Sequence, residues 1–307
     1  MASTFTVNPS SLGNLRNKTV LITGGSSGIG LATAALVASL DSSNRVAILD
    51  RAPPPSSLKV AAENLFFGEC DVTQWERQRS AFDGAIAKFG RLDAVFVNAG
   101  IAEVGDQFFT DDLDAEGKLA APDHRVLDID INAATDTVKL AIFHLRKNGG
   151  GSIIMTASLA GYLASAGAPN YSAAKHGIVG LMRALKQETA KLNIAISVIA
   201  PGITLTPILK TNRHDEIQSL DEWAAKMRKV GVPINNAESV ALSVGFLINA
   251  GLEANGMGVL IQADKMMELE RGLAKSRETW MGREMLDLFR GGRDAPLFQR
   301  LEESSKL

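Results

Sequence analysis

The stretch TVLITGGSSGIGLATAALVASL, residues 19–40, decides the fold. It opens on an apolar, β-branched run, the mark of a strand buried on both faces. It closes on small and apolar residues that suit a helix. Between them lies Thr23-Gly24-Gly25-Ser26-Ser27-Gly28-Ile29-Gly30. Glycines there permit a tight turn and a close approach of backbone to a ligand. A helix starting at the turn offers unpaired N–H groups and a positive dipole end to a pyrophosphate. Strand, glycine-rich loop and helix in this order carry far more weight than the glycines alone.

Working outward, the next apolar run, 46–50, ends in Asp50. A carboxylate at that strand end accepts hydrogen bonds from a ribose diol and repels a 2′-phosphate. Ser26 and Ser27 supply no compensating cation, whereas the Arg51 guanidinium beside Asp50 is able to accept a phosphate. The balance favours NAD over NADP as the dinucleotide, with Gly24, Ser26, Ser27, Gly28, Ile29, Gly30, Asp50 and Arg51 in its site.

Further strands are expected over 64–67, 94–98, 152–156, 195–200 and 258–262. Helices are expected over 29–40, 73–89, 122–147, 171–192, 219–229 and 237–249. This alternation predicts an α/β, doubly wound parallel sheet covered by helices on both sides. No linker interrupts it, so one domain is expected over 1–262, its core beginning near residue 18. Residues 263–307 then form a helical extension, with Trp280, Met281, Met285, Leu288 and Phe289 near helical spacing. The expected role is packing on its own domain or on a second copy, with a lid over substrate as the alternative.

The composition excludes several classes. A net charge of −2 argues against nucleic-acid binding. The lone Cys70 permits no internal disulfide, and four scattered histidines lack the spacing of a metal site, so none is expected. No apolar run approaches the ~20 residues of a membrane span. The terminal Ser305-Lys306-Leu307 matches the peroxisomal address, which predicts a peroxisomal import receptor as partner; otherwise the location is cytoplasmic.

Chemistry enters with Tyr171 and Lys175, four apart and therefore on one helix face. A phenol is a poor base at neutral pH, and a neighbouring ammonium favours its ionised form. Such a pair can serve as a tuned general base or acid. Ser158 follows a strand at the sheet edge where open α/β proteins bind ligands. Its hydroxyl is able to polarise a substrate oxygen.

With Ser158 thirteen residues before Tyr171-x-x-x-Lys175, and the glycine turn upstream, the chain resembles the short-chain dehydrogenase/reductase family. The resemblance spans roughly residues 18–262 and implies a Rossmann-like domain. It implies that Tyr171 takes the alcohol proton and that Ser158 orients the oxygen. Lys175 would favour the phenolate and hold the nicotinamide ribose. Asn132 matches a fourth member that holds a water in a relay to Lys175. Asn98-Ala99-Gly100 resembles the element that lines the adenosine side and steadies the sheet. Asp71-Val72 resembles the pair that meets the adenine. In Pro201-Gly202-Ile203-Thr204-Leu205-Thr206, the Ile203 backbone and Thr206 hydroxyl would anchor the carboxamide.

The implied activity is interconversion of a secondary alcohol and a ketone with NAD(H), by a homodimer or homotetramer. Leu159, Leu163, Leu205, Ile208, Leu209, Trp223 and Met227 are expected to make the pocket hydrophobic and medium-sized. The alternatives are an NADPH-dependent ketone reductase and a non-catalytic dinucleotide-binding regulator or scaffold. Tyr162 is a further candidate for substrate contact. Two features depart from the family pattern. Lys265 and Met266 follow Asp264 where an Asp-Gly-Gly turn is common, and the acidic segment 101–121 is long, expected as a solvated loop or a pocket border.

Overall fold

Apolar runs too short for helices pair into the central sheet of the computed structural model, which describes residues 4–210 and 219–291. The elements in chain order are β1 (Thr4–Phe5), β2 (Thr19–Thr23), α1 (Gly28–Leu40), β3 (Arg45–Asp50), β4 (Leu65–Glu69), α2 (Trp75–Phe89) and β5 (Ala94–Val97). Next come α3 (Arg125–Leu127), a π-helical segment (Asp128–Ala133), α4 (Ala134–Lys147), β6 (Gly151–Thr156), α5 (Pro169–Lys191) and β7 (Ile194–Pro201). The chain continues through β8 (Thr204–Leu205), α6 (Leu220–Lys229), β9 (Asn235–Asn236), α7 (Ala237–Ala250), β10 (Gly258–Gln262) and β11 (Lys265–Glu268). Three helices follow: α8 (Glu270–Lys275), α9 (Arg277–Met281) and α10 (Arg283–Gly291).

The sheet order is β1-β11-β10-β7-β6-β5-β2-β3-β4. All pairs from β10 to β4 are parallel. The order reverses between β2 and β5, the switch point at which doubly wound sheets open a crevice. Strands β2 and β7 are buried along their whole length, as expected for a sheet covered on both faces. One apolar layer joins the sheet to α2, α4 and α5, through residues such as Phe82, Leu145 and Met182. The other joins it to α1 and α7, and Leu12 and Leu15 of the lead-in seal that layer. The chain is thus a Rossmann-like domain.

The sheet does not stop at residue 262. Ala263 and Asp264 both take positive φ, 48° and 62°, and turn the chain back into β11. Two left-handed residues between antiparallel strands match the strands' natural twist. Their strain is offset by Asp264, whose carboxylate accepts from the Asn236 N–H at 2.8 Å and from Asn236 Nδ2 at 2.7 Å. β1 pairs on the outer side of β11, and Phe5 packs against Phe246 with ring centroids 5.3 Å apart.

The helix expected over 122–147 forms, but a π-helical segment interrupts it. In α10, Leu286 is buried while Met285, Leu288 and Phe289 stay exposed. Among the described residues, no helix is long and apolar enough to cross a membrane, and no cluster of His, Cys, Asp or Glu gathers to hold a metal. The tripeptide Ser305-Lys306-Leu307 lies outside the described residues.

Candidate active site

A cleft of about 1130 Å³ runs along the carboxyl ends of the parallel strands. At its first end, Gly24, Ser27, Gly28 and Ile29 form the wall. Ser27 caps α1 without a side-chain hydrogen bond, so the first-turn N–H groups are left for an incoming anion. Gly30 and Ser26 do not line the cleft. A Cβ on Gly30 would stand 2.1 Å from the Gly24 carbonyl oxygen, so this glycine lets α1 lie against the turn. The Ser26 hydroxyl donates to the Ala52 carbonyl at 2.6 Å.

Asp50 accepts from the backbone N–H of Ser26 at 3.0 Å and of Arg51 at 2.7 Å. Its carboxylate is therefore held in place at the tip of β3, in the cleft wall beside the exposed Arg51. Asp71 and Val72 follow in the wall. The Thr73 hydroxyl and N–H bind the Asp71 carboxylate and hold it below the usual range. Cys70 is buried, which pushes its thiol up to about 11 and leaves it unreactive.

Asn98-Ala99-Gly100 forms the middle of the wall. Asn98 Nδ2 donates to the carbonyls of Thr23 and Gly24, and its Oδ1 accepts from the Thr156 hydroxyl at 3.1 Å. One side chain thereby ties the ends of β2, β5 and β6. These walls fit a dinucleotide: amide donors for a pyrophosphate, a fixed carboxylate for a diol, and an apolar slot between them.

The catalytic candidates stand further along. Tyr171 and Lys175 lie on the first turns of α5. Lys175 Nζ is 5.4 Å from the Tyr171 ring centroid and donates to the Thr156 carbonyl at 3.0 Å. Ser158 caps a short 3-10 turn, accepting from the Ala160 N–H at 3.1 Å and donating to the Pro201 carbonyl at 3.4 Å. That turn lies tight against α5: a Cβ on Gly161 would be 2.5 Å from the Lys175 carbonyl oxygen. Ser158, Tyr171 and Lys175 are thus brought into one cleft. Ile203 and Thr206 close the far wall, the Thr206 hydroxyl donating to the Thr204 carbonyl at 3.4 Å.

Asn132 is the correction. It lines the cleft but is exposed, and its Nδ2 donates to Asp128 Oδ1 at 3.2 Å. The group against the Lys175 ammonium is Asp130, whose Oδ2 lies 3.0 Å from Nζ. Residues two apart on a helix point to opposite sides, and the π segment turns 130 inward. The sequence signal is a second Asp in Leu127-Asp128-Ile129-Asp130, inside the helix expected over 122–147. Glu103 was also missed; it is buried in the wall and accepts the Tyr171 N–H at 2.8 Å.

Of the expected pocket residues, Leu159, Ile208, Leu209 and Trp223 line the cleft, while Leu163, Leu205 and Met227 do not. Nor does any described residue of the extension, so those residues form no lid here. Tyr162 turns away from the cleft to donate to Glu270 at 2.8 Å, which docks α8. Residues 101–103 border the cleft, and Phe108 and Phe109 beyond them are exposed.

The family model described as short chain dehydrogenase matches residues 18–217. The chain is 33% identical, over 292 residues, to the short-chain dehydrogenase/reductase prx4 of Penicillium rubens, covering 89% of this chain and 83% of that one. It is 32% identical to cyclohexanol dehydrogenase of Acinetobacter sp., over 76% of this chain and 88% of that one. A crystal structure of levodione reductase superposes with a TM-score of 0.66 at 25% identity, over 81% of this chain and 97% of that one. Matched along most of its length by proteins of one kind, and carrying a cleft fit for a nucleotide, the chain belongs to the short-chain dehydrogenase family, whose members bind an NAD(P) cofactor.

Proposed function

We propose that the chain interconverts a secondary alcohol and a ketone on a medium-sized, hydrophobic substrate with NAD(H), Tyr171 acting as general base and acid. The observation that carries this reading is the convergence of Ser158, Tyr171 and Lys175 in one cleft with the glycine turn. Gly24, Ser27, Gly28 and Ile29 hold the pyrophosphate, and Asp50 accepts the adenosine ribose diol. Bound in this way, the nicotinamide supplies the hydride chemistry. Ser158 orients the substrate oxygen and Tyr171 takes its proton. The Lys175 charge stabilises the phenolate that accepts this proton. Ile203 and Thr206 fix the carboxamide end of the cofactor. Gly30 and Ser26 serve the turn rather than the ligand.

Leu159, Ile208, Leu209 and Trp223 favour a hydrocarbon skeleton over a sugar. A relative that acts on cyclohexanol makes alicyclic alcohols the first class to try. Arg51 in the wall supports a second reading, ketone reduction with NADPH. The test is a panel of secondary alcohols, led by cyclohexanol, with NAD or NADP, reading the absorbance of the reduced nicotinamide. We expect turnover with NAD and at least about tenfold weaker binding of NADP in a titration, the size of one lost charge-assisted contact. Preference for NADP would establish the Arg51 reading, and no turnover with any alcohol would defeat both.

A further inference from the structure

The place beside Lys175 that the family resemblance gives to an asparagine is held by a carboxylate. We propose that Asp130 is the counter-ion that keeps the buried Lys175 ammonium charged, and that through it Asp130 sets the pH at which Tyr171 works. This rests on the reading of Tyr171 as the base. Asp130 is a positioning residue, since it acts through Lys175 and not on the substrate.

The geometry is that of a built pair. The Asp130 side chain is 0% exposed and that of Lys175 is 5% exposed. Asp130 Oδ1 accepts the Ile101 N–H at 2.8 Å, which locks the carboxylate against the end of β5. A Cβ on Gly100 would lie 3.1 Å from Oδ2, so the carboxylate has no slack on that side. Oδ2 has no aligned hydrogen-bond donor among the described residues, and the ammonium 3.0 Å away is its ionic partner.

The groups around Lys175 come from three elements. The π segment contributes the Asp130 charge, and α5 itself contributes the Tyr171 phenol. β6 contributes the neutral Thr156 carbonyl. The Glu103 carboxylate reaches the same turn, where it binds the Tyr171 N–H. Burial drives an ammonium toward its neutral form. For Lys175, burial is the largest influence and acts downward, but the Asp130 carboxylate and the charge of an ionised Tyr171 together outweigh it and push it above the ordinary lysine value. Without Asp130, burial faces the Tyr171 charge alone. An uncharged Lys175 would no longer stabilise a phenolate, and proton removal would need a more alkaline solution.

The test is Asp130→Asn, which keeps shape and removes charge. We expect the acidic limb of kcat/KM for alcohol oxidation to move to higher pH by about one unit or more. The rate near neutral pH then falls about tenfold and recovers in alkaline buffer. A limb that stays in place, with the rate lowered equally at every pH, means a merely structural role and overturns the proposal. A limb that moves to lower pH overturns it too, because Asp130 would then act directly against the phenolate.

The pair can be read without turnover as well. Lys175→Met strands the buried carboxylate, and adding Asp130→Asn should restore much of the lost melting temperature. That restoration supports the pair even where Asp130→Asn alone fails to fold. A double variant no more stable than Lys175→Met overturns it. Absence of turnover in the unaltered protein would strike the dehydrogenase reading, and the melting comparison would still decide the pair.

Discussion

Tyr162 and Tyr171, the two tyrosines of the chain, each have a cation near the ring but differ in what the hydroxyl meets. Tyr162 donates to Glu270 Oε1 at 2.8 Å, and Arg183 binds the same carboxylate through Nε at 2.9 Å and Nη2 at 2.8 Å. Burial first, and then the Glu270 charge, push the Tyr162 phenol well above the ordinary tyrosine value. Tyr171 instead lines an open cleft with the Lys175 ammonium near its ring. One phenol is locked as a donor that docks a helix. The other lines the cleft, with an ammonium 5.4 Å from its ring centroid. A carboxylate partner on one side and an open cleft on the other separate two side chains of the same type.

The sharpest way to break this contrast is Tyr171→Phe. It should lower turnover by roughly 10²–10⁴-fold while the melting temperature and NADH binding stay close to those of the unaltered protein, as steady-state assay, thermal scan and fluorescence titration would show. A smaller effect is expected from Glu270→Gln. It leaves Arg183 and Tyr162 sharing a neutral acceptor, costs about 2 kcal/mol of unfolding free energy in urea, and leaves kcat within about twofold. Tyr162→Phe should cost least, about 1 kcal/mol, with turnover retained. It should also change the pH response. Below the value of a free phenol, about 10, both folded and unfolded chains keep the Tyr162 proton. Above it the unfolded chain releases that proton first, so stability falls as pH rises. Melting curves between about pH 9 and 11 should therefore be less pH-dependent in Tyr162→Phe. Equal slopes would remove the Tyr162 half of the contrast.

What the sequence reveals follows local rules. The glycine turn, Asp50 at its strand tip and the Tyr171–Lys175 spacing are each fixed by a few adjacent residues, and the structure puts them in one cleft. Asp130 was hidden because a π segment breaks the regular helical period, so a position counted along the chain lands on the wrong face. Ser26 was misplaced for a related reason: in a turn, neighbouring side chains diverge, and its hydroxyl follows the Ala52 carbonyl. β1 and β11 escaped because their pairing comes from distant partners and from a two-residue turn made without glycine. The contact of Tyr162 with Glu270, 108 positions away, has no local signature at all.

The β10–β11 hairpin has a consequence for association. The rim on that side ends in a ladder of Thr4 and Phe5 against Met267 and Met266. So short a margin gives a foreign strand little template to extend. Among the described residues, that flank offers a second copy only this two-residue strand to pair with, which favours contact through side chains over a shared sheet.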